Sequence, residues 1–276
     1  MSRLAVHARV FGSRLKLLVV RMLDRVGFRE RRTDGMVSVV IPALESRVDL
    51  LEARCLPSIV AQTYAPLEIV IVSESFSPEI AELARRHGSG CRYFWGTKKS
   101  RALKNAGALA IWFSGAVPNL NLAMKKSRGE YLARLDDDDE WLPNHLEDAV
   151  SFLNQGNFDF VSSKAHSPDG GHVANNHLDD LHYYGNQYEW LKLDAVVGPP
   201  ITWVYRRYMR AFKFNVNSWR KEINRPADYD YMFTIAAAGA SMGFADSFSA
   251  RQCERPGSAG LTGSGAFLAE NNPLPD

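Results

Sequence analysis

Two short segments, Val37-Ser38-Val39-Val40-Ile41 and Leu67-Glu68-Ile69-Val70-Ile71-Val72, are apolar at almost every position instead of every second one. A strand with one wet face alternates, whereas such runs are buried on both faces, as in the centre of a parallel sheet. Pro42 stops the first run. Between and beyond them lie helical patterns at 48–62, where Pro57 must kink or restart the helix, and at 78–87. Arg92 to Trp95, Glu130 to Leu135 and Phe158 to Ser163 read as further strands, and Pro143 precedes a helix over 145–153. This alternation predicts an α/β fold with a Rossmann-like, mainly parallel sheet flanked by helices.

The chain of 276 residues, 46% hydrophobic and 23% charged, can bury one substantial core. Its formal charge of +2 is unevenly spread: residues 1–32 hold nine of the 33 Lys and Arg residues against Asp24 and Glu30 alone. Residues 3–28 read as an amphipathic helix, with Leu4, Phe11, Leu15, Leu18, Met22 and Val26 at three- and four-residue steps. That helix could pack on its own domain or a partner chain, or lie on an anionic membrane surface. A polar linker, 29–35, follows. Cys55, Cys91 and Cys253 are widely spaced and suggest a reducing compartment. Arg14, Lys16, Arg21 and Arg25 interrupt every candidate signal-peptide core, and no apolar run spans a bilayer. A cytoplasmic location is expected, with peripheral attachment to the cytoplasmic face of the inner membrane as an option. No nucleic-acid partner is expected. Residues 251–276 are rich in Gly and Pro and read as a loop or tail.

Four aspartates, Asp136-Asp137-Asp138-Asp139, follow the strand ending at Leu135 and precede Trp141-Leu142-Pro143. That order puts them at the carboxyl edge of the sheet, where open α/β folds bind ligands. A hard divalent cation would relieve their repulsion, and Mg²⁺ takes one or two protein carboxylates with phosphate and water oxygens.

The blocks Val37 to Pro42, Leu56 to Tyr64, Leu67 to Val72 and Asn121 to Trp141 occur in order. The last, with Asn121, Gly129-Glu130-Tyr131 and Leu135-Asp136-Asp137-Asp138-Asp139-Glu140-Trp141, resembles the signature of the family-two inverting glycosyltransferases. The resemblance covers roughly residues 36–255. It implies a GT-A type fold, a single domain with a nucleotide-binding half (36–142) and an acceptor-binding half (143–250). It also implies a nucleoside-diphosphate sugar donor, UDP-sugar first, a glycan or lipid-linked acceptor, and Mg²⁺ or Mn²⁺. By it, Pro42, Glu45, Glu74, Asn121, Asp136 and Asp137 would line the donor site. Asp136 and Asp138 would hold the metal, with Asp137 the expendable member of the run. The family's general base opens a later helix, and Asp228 in Arg225-Pro226-Ala227-Asp228-Tyr229-Asp230 matches that position. On the bland reading Asp228 is a helix N-terminal acid favoured by the macrodipole. Trp203, Arg206 and Asp230 would lie on the acceptor side.

The chain departs from the family at Ala227, where a glutamate is usual, and at Ser73, Glu74, Ser75 and Phe76, which replace Asp-Asp-Gly-Ser. Ala43-Leu44-Glu45 and Ala123 also differ. Lys98, Lys99, Arg101 and Lys104 form a basic cluster that could meet phosphate or simply face solvent. His166, His172, His177 and His182, near Asp169, Asp179 and Asp180, lack zinc-site spacing and fit an acceptor-side loop better. Arg251 and Arg255 could close over a diphosphate. Two alternatives remain at this level. One is a nucleotide-sugar-binding scaffold without turnover. The other is a nucleotidyltransferase, although Pro42 to Arg47 lacks the glycine-rich phosphate loop. A haloacid-type phosphatase is excluded by Glu140, where its motif needs Thr or Val.

Overall fold

The structure, a computed structural model, describes residues 3–27, 32–96, 103, 105–173, 175–178, 191, 193–221 and 223–253. The Lys98, Lys99, Arg101 and Lys104 cluster, Asp179, Asp180, His182 and Arg255 lie outside the described residues.

Eight strands form one sheet: β1 (Thr33–Pro42), β2 (Leu67–Val72), β3 (Cys91–Phe94), β4 (Gly129–Arg134), β5 (Glu140–Trp141), β6 (Phe160–His166), β9 (Val204–Arg206) and β10 (Met242–Arg251). Their order is β3-β2-β1-β4-β9-β6-β10-β5, while β7 (Asn176–His177) and β8 (Val196–Val197) pair separately. The β3-β2-β1-β4 half is parallel throughout. The first strand starts at Thr33, inside the expected linker, because Thr33 pairs with Gly129 and its amide donates to the Arg128 carbonyl.

The two all-apolar runs lie where expected. Val39 and Ile41 belong to one core layer with Ile69 and Ile71, and Val40 to the opposite layer with Val70 and Val72. Both faces of β1 and β2 are therefore dry, the reason these strands show no alternation. Gly129 opens β4 against β1 so closely that a Cβ there would lie 2.5 Å from the Met36 carbonyl oxygen. Only glycine tolerates that approach.

The helix 48–60 contains a π turn, Leu51–Cys55, just before Leu56–Val60. Pro57 has no amide hydrogen and crowds the preceding turn, so the backbone widens there and the helix continues. The helix Pro78–Arg86 begins where Ser77 Oγ accepts from the Ile80 amide. Further helices are Ala108–Ser114, Val117–Lys126, His145–Gln155 and Ala227–Ala237.

The second half of the sheet departs from a parallel pattern. β9 runs antiparallel between β4 and β6, and β5 antiparallel beside β10. Strands of two or three residues carry no readable periodicity, so sequence pattern does not reveal them.

The N-terminal helix α1 (Arg3–Arg25) packs across the helix Ala227–Ala237 and the turn Arg207–Ala211. Val10 and Leu17 are its buried side chains among those described. Arg14 donates to the Ala237 carbonyl, and Arg21 pairs with the buried Asp159. Phe11, Leu15, Leu18, Met22 and Val26, the stripe prominent in the sequence, stay exposed. No helix among the described residues is long and apolar enough to cross a membrane.

Candidate active site

The carboxyl ends of β1, β2 and β4 share one edge because the three strands are parallel. The four aspartates turn there, directly after β4. They are unequal. Asp136 keeps 27% of its side chain exposed, whereas Asp137, Asp138 and Asp139 are buried.

Asp137 latches two loops together. Its Oδ2 accepts from the Leu44 amide at 2.7 Å and its Oδ1 from Arg47 Nη1 at 3.1 Å, joining the acid turn to the segment after β1. The sequence expectation that Asp137 is expendable is corrected: it is the acid most fully built into the loop framework. Arg47 Nη1 also lies 3.1 Å from Asp138 Oδ2, so one guanidinium neutralises two buried carboxylates. Asp139 Oδ1 accepts from the Cys253 amide at 2.9 Å, tying the end of β10 to the same turn.

Burial raises the Asp137 pKa to about 6, with the Leu44 amide and Arg47 opposing and Asp138 and Asp136 adding. A carboxyl that holds its proton more tightly when folded stabilises the fold increasingly as pH falls from about 6 towards 4, and loses that contribution as pH rises. Asparagine retains an acceptor for the Leu44 amide without the charge. In chelator, Asp137→Asn should therefore melt above the unaltered protein near pH 7.5, and the gap should narrow below about pH 6 and close by about pH 4. Parallel melting curves across that range would refute the assignment.

Arg134, the last residue of β4, is buried and had no part in the sequence reading. Its Nε lies 3.2 Å from Asp136 Oδ1 and its Nη1 2.5 Å from Asp228 Oδ1. Burial works against its charge, but the pairs with Asp136 and Asp228 outweigh that and raise its pKa above the ordinary arginine value. The only sequence signal was spacing. Residues two apart in extended chain point the same way, so an arginine two before the first aspartate of a site shares its face.

Asp228 lies in the first turn of the helix Ala227–Ala237, two residues after the Pro226 cap. Its side chain is 31% exposed. Arg134 holds Oδ1, and Oδ2 makes no hydrogen bond among the described residues. One fixed oxygen and one open oxygen is the arrangement a proton acceptor needs.

Pro42 pairs with Val72 at the end of β1, and Glu45 Oε1 accepts from the Ser75 amide at 2.9 Å. Glu74 is half-buried, and its carbonyl accepts from the Gly96 amide. Pro42, Glu45 and Glu74 therefore sit together on the rim formed by the β1 and β2 ends.

Four other expectations are corrected. Asn121 is committed elsewhere: Nδ2 donates to the Phe214 carbonyl at 2.9 Å and Oδ1 accepts from the Phe214 amide at 3.0 Å. Trp203 is fully buried, edge-on to Phe160 and stacked with Phe214 and Tyr231, so it is core and does not face an acceptor. Arg206 pairs in register with Tyr131 near the start of β4, away from the acid edge, and donates to the Phe158 carbonyl. Asp230 is buried beside Arg225 and Asn215 and does not face an open acceptor surface.

Asp136 and Asp138 offer the hard oxygens that Mg²⁺ or Mn²⁺ prefers, and Asp138 already lies against a cation, Arg47. No group of three potential ligands gathers among the described residues. His166 and His172 meet only through an isolated backbone bridge. Arg251 pairs with Glu140 at 2.5 Å.

Residues 112–214 match the family model described as Glycosyl transferase family 2. That span contains Arg134 and the acid turn but stops before Asp228. An uncharacterized glycosyltransferase of Rickettsia bellii is 29% identical over 127 residues, 46% of this chain and 16% of that relative. The glucosyltransferase WfgD of Escherichia coli, described as acting with UDP-Glc on α-D-GlcNAc-diphosphoundecaprenol, is 25% identical over 128 residues, 46% of this chain and 45% of that relative. The chain thus spans less than half of these relatives. Among solved structures, S. aureus TarS residues 1–349 superpose with a TM-score of 0.54 at 17% identity, covering 79% of this chain and 60% of that one. The mannosyltransferase PcManGT of Pyrobaculum calidifontis, solved with GDP-Man and Mn²⁺, gives 0.50 at 16% identity, covering 94% and 70%. At these identities the structures speak for the fold, and the sequence matches for a similarity over part of the chain. The chain is thus similar to glycosyltransferase family 2 over residues 112–214, which include the acid turn at the carboxyl edge of the sheet, and it shares the GT-A type fold of these solved structures.

Proposed function

We propose that the protein transfers a sugar, with inversion, from a nucleoside-diphosphate donor to a hydroxyl of a glycan or lipid-linked acceptor. One observation carries this reading: Arg134 pairs with both Asp136 and Asp228. A donor-side acid and a candidate base, 92 residues apart in sequence, thereby border one site.

In this scheme the donor lies over the rim of Pro42, Glu45 and Glu74, with residues 36–142 forming the donor half and 143–250 the acceptor half. Asp228 Oδ2 accepts the proton of the acceptor hydroxyl as that oxygen bonds to the anomeric carbon. The bond from that carbon to the diphosphate breaks on the opposite face, and inversion follows from attack at that side. Arg134 fixes the Asp228 carboxylate and contributes positive charge beside Asp136. Asp136 and Asp138 would hold Mg²⁺ or Mn²⁺, which supplies Lewis-acid stabilisation of the departing diphosphate. UDP is the favoured nucleotide because the E. coli relative is named for UDP-Glc and TarS was solved with UDP-GlcNAc. GDP is the runner-up, since the archaeal neighbour was solved with GDP-Man.

Calorimetric titration with UDP-, GDP- and dTDP-sugars, in Mn²⁺ and in chelator, tests this directly. Binding of a UDP-sugar in Mn²⁺ that disappears in chelator is expected. Absence of binding to every donor would instead favour a scaffold, a reading with one observation behind it: Asp138 is closed to solvent beside Arg47.

A further inference from the structure

We propose that the outward face of α1 is a docking surface for an anionic membrane, with the helix lying in the plane of the lipid headgroups. This rests on α1 alone and stands whether or not the transferase reading holds.

The helix is held to the domain without its apolar stripe. Val10 and Leu17 face inward, Arg14 and Lys16 donate to the Ala237 and Ala211 carbonyls, and Arg21 pairs with Asp159. On the other side Phe11 is 72% exposed, Leu15 54%, Leu18 62%, Met22 58% and Val26 67%, with Val19 at 42%. At ~100° per residue these six occupy an arc ~100° wide, centred roughly 125° from Val10. Single exposed apolar side chains are ordinary, but a continuous stripe of this kind marks a contact surface.

Charge decides what that contact is. Arg25 falls along one border of the stripe and Arg9 beyond the other, both exposed, while Arg14 and Lys16 are turned to the domain carbonyls. The one acid in α1, Asp24, is turned to Arg32 at 3.1 Å. An apolar band flanked on both sides by long basic side chains matches a headgroup boundary. Leu, Phe and Met enter the acyl region while the cations reach lipid phosphates. A second copy fits less well, because a twofold pairing of the stripe would bring basic borders together.

Docking need not cover the candidate active site. α1 reaches the carboxyl end of the helix Ala227–Ala237 through Arg14, while Asp228 opens its amino end. An 11-residue helix separates them by about 16 Å.

The test is co-sedimentation of the full chain with vesicles of phosphatidylglycerol and phosphatidylcholine, against phosphatidylcholine alone. Partition onto the anionic vesicles should be about tenfold stronger and should weaken as salt rises from about 0.05 to about 0.5 M. The variant F11Q/L18Q/M22Q should lose about tenfold in partition with an unchanged melting temperature, and R9Q/R25Q should lose the preference for anionic lipid. No vesicle binding, or binding that the triple variant retains, would overturn the proposal. A concentration-dependent dimer abolished by the triple variant, without vesicle binding, would assign the stripe to a second copy instead.

Discussion

Asp228→Asn is expected to bind donor within about threefold of the unaltered protein while losing roughly 10²- to 10⁴-fold in transfer rate, the usual worth of a positioned general base. The isostere is chosen for its geometry. Asparagine Oδ1 can still accept from Arg134 Nη1, so the side chain keeps its place at the start of the helix Ala227–Ala237. What disappears is the second carboxylate oxygen and its ability to take a proton. A role confined to complementing the helix dipole would instead appear as a shift of at most about 1 kcal/mol in stability with turnover retained. The measurement is the initial rate of nucleoside-diphosphate release with acceptor present, beside a thermal melt. Normal turnover in Asp228→Asn would remove Asp228 from the mechanism.

The second large effect concerns the acid turn. Asp138→Ala should abolish metal-dependent donor binding, seen as loss of the Mn²⁺-stimulated heat in calorimetry with the donor that binds the unaltered protein. Truncating one member of a buried charged pair typically costs about 3–5 kcal/mol, because the remaining charge is stranded. Here Arg47 keeps Asp137 as a partner, so the penalty to folding should be smaller. Asp136→Ala is the comparison, since Asp136 is the exposed acid and Asp138 the buried one. If Asp136→Ala loses metal-dependent binding while Asp138→Ala retains it, the ligand role passes to Asp136 alone.

Much of the first, parallel half of the sheet was legible because its causes are local. The runs at 37–41 and 67–72 show burial on both faces through composition alone, and Pro78 after Ser77 marks a helix start through backbone chemistry. The acid turn stood out because four adjacent carboxylates need neighbouring cations. The half after the acid turn was poorly legible. β9 spans only Val204–Arg206, and its antiparallel insertion between β4 and β6 is fixed by partners far away in sequence. Trp203 and Asn121 misled for one reason: an aromatic ring or an amide in sequence does not disclose whether core or ligand satisfies it. In the fold, Phe214 meets both, stacking on Trp203 and offering its backbone to Asn121.

The sequence by itself determined that an acid turn ends a buried strand, and that a second acid opens a helix far downstream. Periodicity, proline and charge repulsion act over a few residues and are readable there. Only the tertiary structure decided that Arg134 joins Asp136 to Asp228, that Asp137 fastens the turn through Leu44 and Arg47, and that the α1 stripe is left outside. Those outcomes depend on which strands become neighbours and which helix face finds the core, and chain-distant packing settles both.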